Sequence, residues 1–158
     1  MASNKYTIFA LENEYYAIPI SKIQEIISFT PITPLHDVSN FLKGVINLRG
    51  RIIPVIDMRL KFGLPEKPYT DRTIFIIVEI LTGESSSHIG LIVDSIKEVV
   101  EINDEKIEKT TEIGFKFFKG KYLQGITQIN NNMVMILNLE NILSTEEIIE
   151  INKQTDGE

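Results

Sequence analysis

The chain has 158 residues, of which 43% are hydrophobic and 24% are charged, and this composition describes a globular protein of one ordinary domain or two very small ones. The formal net charge of −6 argues against a nucleic-acid partner, because phosphate binding requires a concentrated basic surface. There is no cysteine, so disulfides, thiolate metal sites and cysteine nucleophiles are excluded.

The first half of the chain predicts two β-hairpins with short helical turns after each of them. Runs rich in isoleucine and valine favour strands, because β-branched side chains suit a pleated, half-buried surface. The first hairpin turns at residues 12–14 and the second at residues 49–51. Pro54 lacks an amide donor, so its strand is expected at a sheet edge or with an irregularity. The predicted strands are residues 7–11, 15–20, 25–29, 44–48 and 52–56.

The second half of the chain repeats the first. Residues 17–27 are matched by residues 90–100, at an offset of 73, and residues 52–57 are matched by residues 133–138, at an offset of 81. The offset grows only where loops are predicted. Matches in the same order with gaps confined to loops indicate an internal duplication.

Each copy contains about five short predicted strands and little helix. A sheet of that size leaves one face uncovered unless it closes on itself or packs on its twin, and closure also removes exposed edges. The sequence therefore predicts a mainly β fold of two small five-stranded barrels related by internal duplication.

We expect a single domain over residues 1–150, followed by a tail at residues 151–158. Within the domain, subdomain one covers about residues 12–70 and subdomain two about residues 71–137. The N-terminal strand and the C-terminal segment are expected to complete the barrels. That C-terminal segment is expected to form a short helix, because Ser144 opens a capping-box pattern.

Sequence motifs for catalysis are missing. There is no phosphate-binding loop, no nucleophile elbow and no zinc-binding helix motif. His36 and His88 belong to different copies, in contexts that predict solvated loop positions. The acidic stretch at residues 101–108 lacks the ligand spacing and the glycine of a calcium loop. We therefore expect no enzymatic activity, no metal and no cofactor.

The chain also shows no membrane signal. No apolar run approaches the roughly 18 residues of a membrane-spanning helix, and the N-terminal residues carry no apolar signal core. The lack of cysteine fits a reducing compartment. A cytoplasmic protein without direct membrane insertion is expected.

The two copies differ at the second hairpin turn. Glu25 has a counterpart in Glu98, whereas Arg49 aligns with Asn130. In one interpretation Arg49 is an ordinary exposed turn residue, and asparagine simply suits the other turn. In the other interpretation Arg49 pairs with Glu25 and presents a charged element beside an apolar binding groove. Residue spacing alone does not decide between the two.

One stretch of the sequence is recognisable as a family signature. Residues 43–50 (Lys-Gly-Val-Ile-Asn-Leu-Arg-Gly), followed by residues 52–59, closely resemble the signature of the CheW family, the coupling proteins of bacterial chemotaxis. Residues 16–26 resemble the segment that precedes this signature. The likeness covers roughly residues 5–150. Its main departures are Met58, where leucine is usual, and the loop at residues 83–87, which varies in the family.

This resemblance implies two SH3-like barrels around a shared core and an adaptor without catalytic activity. Such an adaptor links the cytoplasmic tips of methyl-accepting chemotaxis receptors to the regulatory domain of the histidine kinase CheA. It is recruited from the cytoplasm to membrane-associated receptor arrays. Because the receptor tip is a helical hairpin, the resemblance implies an amphipathic helix in an apolar groove between the barrels.

The resemblance also favours a functional role for Arg49, because a Glu–Arg pair matching Glu25 and Arg49 is a family feature. Carried over position by position, the family pattern implies contacts with receptor or kinase at seven residues. They are Ile23, Glu25, Gly44, Asn47, Leu48, Arg49 and Gly50.

Three other classes of protein share parts of this pattern. A detached regulatory module of a CheA-type kinase would have the same fold, but the chain shows no ATP-binding or phosphoacceptor segment. A CheV-type adaptor would carry a receiver domain, and none is expected after Glu150. An unrelated barrel enzyme is disfavoured by the missing catalytic cluster.

Overall fold

The structure is a computed structural model, and it shows a chain divided into two compact units, each assembled from two separate stretches. The residues that it describes are 3–82, 85–109, 122–143 and 147. Unit 1 comprises Met1–Lys22 and Ser95–Ile142, and unit 2 comprises Ile23–Asp94 and Leu143–Glu158.

The elements that lie wholly within the described residues are twelve strands, one short α-helix and three single 3₁₀ turns. The helix, α1, spans Met58–Lys61, and no helix in the described part of the chain is long and apolar enough to cross a membrane. The strands are β1 (Ser3–Leu11), β2 (Glu14–Pro19), β3 (Ile23–Ser28), β4 (Thr33–Pro34), β5 (Leu42–Leu48), β6 (Arg51–Asp57), β7 (Ile74–Thr82), β8 (Ser85–Val93), β9 (Ser95–Asn103), β10 (Glu108–Lys109), β11 (Leu123–Ile129) and β12 (Asn132–Leu137).

Each unit contains one six-stranded sheet. The strand order is β10-β11-β12-β2-β1-β9 in unit 1 and β4-β5-β6-β8-β7-β3 in unit 2. Neighbouring strands are antiparallel, except that β12 with β2 and β6 with β8 are parallel. The prediction of a mainly β fold is confirmed. The five strands expected per copy correspond to the longer ones, since β4 and β10 have two residues each.

The two copies of the repeat exchange strands between the sheets. The first copy supplies β1 to β6, and the second supplies β7 to β12 in equivalent positions. In unit 2, β3 to β6 of the first copy are joined to β7 and β8 of the second. In unit 1, β9 to β12 of the second copy are joined to β1 and β2 of the first. The copies therefore meet twice within each sheet, at one parallel pair (β12 with β2, β6 with β8) and at one antiparallel pair (β9 with β1, β7 with β3).

Each sheet buries its own apolar core. Along β5, more buried positions alternate with less buried ones, as expected of a strand with one face on a core. Each fully buried aliphatic side chain contributes roughly 1.5–3 kcal/mol to folding. The core of unit 2 consists of Ile46, Ile53, Val55, Phe75, Ile77 and Ile92. The core of unit 1 consists of Tyr6, Ile8, Ala17, Ile102, Val134 and Ile136.

A glycine in each unit lets a two-residue strand approach its neighbour. Gly44 has φ +152°, and a Cβ atom there would lie 2.1 Å from the carbonyl oxygen of Thr33. The equivalent Gly125 would place a Cβ atom 2.6 Å from the carbonyl oxygen of Glu108. Both glycines follow a shift in strand register, as is common at a β-bulge. The fold itself therefore requires glycine at both positions.

Pro54 lies in an interior strand, so the expectation of an edge position is wrong. It pairs with Val45 of β5, and pairing with β8 begins only at the next residue, Val55. The irregularity lies on the facing strand, where the register shifts between Leu42 and Gly44. The proline is tolerated because it stands just before the ladder shared with β8.

Glu147 is described beyond the last 3₁₀ turn, and it contacts α1 of unit 2. Its two carboxylate oxygens accept hydrogen bonds from Lys61 Nζ at 2.7 and 2.8 Å. The same Nζ lies 4.3 Å from the ring centre of Phe41. Apart from Glu147, the C-terminal helix predicted from Ser144 onward lies outside the described residues.

Candidate functional site

The turn between β5 and β6 carries the charged residue that distinguishes the two copies. Arg49 and Gly50 are its two central residues, with φ values of +52° and +85°, and Leu48 pairs with Arg51 across it. Positive φ at both central positions is the requirement of a type I′ hairpin turn. The backbone amide of Gly50 donates a hydrogen bond to Asn47 Oδ1 at 2.9 Å, which fixes the turn from within.

Arg49 reaches from this turn to β3, where its Nη2 donates to Glu25 Oε1. β3 and β5 are well separated in the strand order of the sheet, so the contact shows that the sheet of unit 2 curls round on itself. The Arg49 side chain is 69% exposed and that of Glu25 is 28% exposed. An ion pair this exposed adds at most about 1 kcal/mol to stability.

The corresponding turn of unit 1 has the same backbone but different chemistry. Asn130 and Asn131 have φ values of +50° and +69°, and Ile129 pairs with Asn132 across them. The predicted alignment of Arg49 with Asn130 is therefore confirmed. Two asparagines, which tolerate positive φ well, replace the arginine and glycine of unit 2.

Exposed apolar residues stand close in sequence to the charged pair. Ile26, directly after Glu25, is 41% exposed, and Ile52, directly after Arg51, is 45% exposed. Single exposed isoleucines are ordinary on a protein surface. Successive side chains of a strand point to opposite faces, so Ile26 points to the face of β3 opposite to Glu25. Closeness in sequence therefore does not place these isoleucines on the surface of the charged pair.

The predicted partner-binding residues fall into two groups. Glu25, Asn47, Arg49 and Gly50 form one linked cluster at the hairpin turn. The other three have packing roles in the structure, and the part of all seven in partner binding stays a prediction. Ile23 begins β3 half-buried and pairs with Val78, Leu48 packs against the core of unit 2, and Gly44 is the buried glycine beside β4.

A second polar group on the same sheet was not predicted from the sequence. His88 lies in β8 opposite Glu79, so the prediction of a loop histidine is wrong. Arg51 Nη2 contacts His88 Nδ1, and His88 Nε2 lies 3.8 Å from Glu79 Oε2. The signal was available in residues 85–93, whose second half is a strong strand pattern. Three consecutive serines at its start favoured a loop instead.

The described residues contain no cluster of histidine, aspartate or glutamate that could hold a metal ion. Asp57 is the buried acidic residue among those described, and its carboxylate accepts hydrogen bonds from Arg59 N, Leu60 N and Tyr69 Oη. Burial and the hydrogen bond to Asp57 raise the pKa of Tyr69 above its usual value. These groups brace the fold of unit 2.

Comparison with known proteins identifies the family. The family model of the CheW-like domain matches residues 5–147. The chain is 33% identical to the chemotaxis protein CheW of Klebsiella aerogenes over 144 residues, which cover 91% of this chain and 84% of that protein. It is 30% identical to the chemotaxis protein CheW of Bacillus subtilis over 142 residues, or 90% of this chain and 88% of that protein.

Among solved structures, the crystal structure of the scaffolding protein TtCheW from Thermoanaerobacter tengcongensis has the same fold. Its TM-score is 0.80 at 31% sequence identity, and the match covers 93% of this chain and 92% of that one. The family model, the sequence relatives and the shared fold lead to the same conclusion. This chain belongs to the CheW family of chemotaxis scaffold proteins, which are adaptors and not enzymes.

Proposed function

We propose that this protein couples the cytoplasmic tips of chemoreceptors to the histidine kinase CheA, and that it does so at membrane-associated receptor arrays. Family membership supports an adaptor role, and the proteins that this chain matches over most of their length are CheW proteins. The observation that carries the proposal is the Arg49–Glu25 pair at the β5–β6 turn.

The fold gains little from an arginine in this turn. A residue other than glycine, asparagine or aspartate is uncommon at φ +52°, and the exposed pair with Glu25 contributes little to stability. Asn130 builds the same turn in unit 1 without a charge. Arg49 is therefore best explained by a partner that recognises its guanidinium group.

The proposed surface combines this charge with apolar neighbours. Arg49 and Glu25 would make the polar contacts, while Ile23 and Leu48 would supply apolar area beside them. Gly44, Asn47 and Gly50 would act by holding the backbone of β5 and its turn. An amphipathic helix also carries polar side chains beside an apolar face, so a receptor helix of this kind suits this surface.

The test is a pull-down with purified CheA regulatory domain and, separately, a receptor cytoplasmic fragment. Wild-type protein should bind both, and Arg49→Glu should bind at least one of them about tenfold more weakly, as for the loss of a charged hydrogen bond. The matched control is Asn130→Glu, which puts the same residue in the equivalent turn of unit 1 and should bind as wild type does.

Two outcomes would count against the proposal. Wild-type protein that binds neither the kinase domain nor the receptor fragment would rule out the adaptor role. Arg49→Glu protein that binds both partners normally would remove Arg49 from the binding surface, while leaving the adaptor role to the remaining residues.

A further inference from the structure

Unit 2 contains a polar cavity that the proposed partner surface does not use. Its volume is about 310 Å³, within the lower range of small-ligand sites. Its walls come from the start of α1, the end of β8 and the segment at residues 67–73 that leads into β7. The β5–β6 turn and Glu25 do not line it.

The walls of the cavity are held together by buried hydrogen bonds. The Tyr69 hydroxyl donates to Asp57 Oδ2 at 2.6 Å, which ties the 67–73 segment to the end of β6. Tyr69 also packs against Phe29, with ring centres 5.9 Å apart. The cavity is therefore pre-formed, which lowers the entropy that a ligand loses on binding.

A buried arginine braces the same cavity. Arg59 Nη1 donates to Asp94 Oδ2 at 2.7 Å, and its Nε donates to the carbonyl oxygen of Pro65 at 3.0 Å. Its side chain is only 6% exposed. Both acidic residues of the lining are thus engaged by the protein itself, Asp94 by Arg59 and Asp57 by Tyr69 and the first turn of α1.

The cations at the mouth of the cavity are not engaged in this way. Lys67 and Arg72 line the cavity and are exposed, and neither makes an ion pair with another described residue. The acidic neighbour of Lys67, Glu66, pairs instead with Lys43 at 2.6 Å. In a chain of net charge −6, this cavity has three cationic and two anionic side chains in its lining.

The fold does not require this group of charges, because the other copy builds the same junction without them. The backbone amide of Asp57 donates to the carbonyl oxygen of Phe41 at 2.8 Å. Its counterpart Asn138 donates to the carbonyl oxygen of Tyr122 at 2.9 Å. The two junctions therefore have equivalent backbones.

The side chains at the equivalent positions of unit 1 differ. Arg59 corresponds to Glu140, which pairs on the surface with Lys22 at 2.7 Å, and Asp94 corresponds to Ser21. A buried ion pair such as Arg59 with Asp94 is often no more stabilising than apolar residues of similar size. Stability alone does not explain why unit 2 keeps this pair beside a cavity.

We propose that this cavity binds a small anion that carries a phosphate or carboxylate group. Lys67 and Arg72 would donate charge-assisted hydrogen bonds to it, and the planar guanidinium of Arg72 suits either group. Arg59 and Asp57 hold the walls and are not direct contacts. The site is separate from the partner surface at Arg49, so its failure would not affect the adaptor proposal.

The test is an amide chemical-shift titration of the full chain with inorganic phosphate, against sodium chloride at equal ionic strength. Phosphate should produce saturable shifts in residues 69–73 and at Asp94, and chloride should not. The Lys67→Gln/Arg72→Gln double variant should bind phosphate at least about tenfold more weakly. The control is Lys109→Gln, an exposed lysine of unit 1 that should leave the titration unchanged.

A second titration with citrate asks whether carboxylates use the same site. Saturable shifts of the same amides with citrate support the shared anion chemistry. Shifts that do not saturate with either anion, or that are equal in the wild type and the double variant, would overturn the proposal. Since both substituted residues are exposed, circular dichroism melts of the double variant should overlay those of the wild type.

Discussion

Arg49 holds a left-handed backbone conformation that an asparagine would hold with less strain. The equivalent turn of unit 1 shows this directly, because Asn130 has nearly the same φ, +50° against +52°. A partner that recognises the guanidinium group would favour arginine at this position despite the small conformational cost. Stability and binding should therefore respond to a change at residue 49 in opposite directions.

We expect Arg49→Asn to keep or slightly raise the free energy of unfolding, within about 0.5 kcal/mol. The same variant should bind receptor fragment or kinase domain about tenfold more weakly, because the charged contact is lost. Urea unfolding and the pull-down measure the two effects on one preparation. A loss of more than 1.5 kcal/mol or so in stability would instead show that Arg49 is a structural residue.

Glu25 offers a test of how the pair acts. In the double variant Glu25→Arg/Arg49→Glu the ion pair forms again with reversed direction. If partners recognise the guanidinium at position 49, this variant should bind as weakly as Arg49→Glu alone. Full recovery of binding would mean that the pair merely braces the turn.

At the scale of elements, the glycines of β5 and β11 show how closely the two-residue strands approach. A Cβ atom on Gly44 would lie 2.1 Å from a backbone oxygen, and one on Gly125 would lie 2.6 Å from another. Gly63 also has positive φ, at +79°, but nothing lies within 4 Å of a Cβ atom there. Substitutions at these three glycines therefore distinguish the cost of steric crowding from the cost of backbone strain.

Alanine at these positions should therefore destabilise in a fixed order. We expect Gly44→Ala to cost about 3 kcal/mol or more, Gly125→Ala somewhat less, and Gly63→Ala only about 1 kcal/mol. Chemical denaturation of the three variants measures the order. An effect at Gly44 no larger than that at Gly63 would mean that β4 moves aside freely.

The link from α1 to Glu147 gives a second element-scale prediction. The Lys61 side chain is 5% exposed and Glu147 is 22% exposed, whereas Lys22 and Glu140 of unit 1 are 33% and 40% exposed. Removing the charge of Glu147 leaves a buried ammonium less well compensated.

Glu147→Gln should therefore lower the free energy of unfolding by roughly 1–3 kcal/mol. Glu140→Gln, the matched control on the exposed pair, should change it by less than about 1 kcal/mol. Thermal melts of the two variants make the comparison. Equal losses of unfolding free energy would show that the contact of Glu147 with α1 stabilises the protein no more than the exposed pair does.

For the whole molecule, alkaline pH should weaken both units. Burial raises the pKa of Tyr16 in unit 1, helped by Glu14, and burial with the Asp57 hydrogen bond raises the pKa of Tyr69 in unit 2. In the unfolded chain these tyrosines ionise near pH 10, while in the folded chain they keep their protons. The folded state then binds more protons, so stability falls as the pH rises above about 10.

We expect the free energy of unfolding of wild-type protein to decline between about pH 9.5 and 11. Tyr69→Phe should start lower at neutral pH, having lost the hydrogen bond to Asp57, and should decline less steeply. Urea titrations at each pH give both quantities. Parallel curves for the two proteins would contradict a role for Tyr69 in this pH dependence.

Much of the architecture could be predicted from the sequence because the duplication repeats a local pattern. Strand-forming runs and the Arg49-to-Asn130 alignment follow from residue order alone. Strand partners do not, because alternation shows which residues form a strand and not which strand lies beside it. The parallel pairing of Val55 with Gly90, the interior position of Pro54 and the pairing of His88 with Glu79 all depend on contacts distant in sequence.

The exchange of strands also determines the order in which the two sheets can form during translation. β1 and β2 are synthesised before all the strands of the unit 2 sheet, yet their sheet neighbours β9 and β12 are synthesised after all of them. The sheet of unit 2 needs nothing beyond β8. During translation, the sheet of unit 2 can therefore form while β1 and β2 are paired only with each other, before β9 and β12 are synthesised.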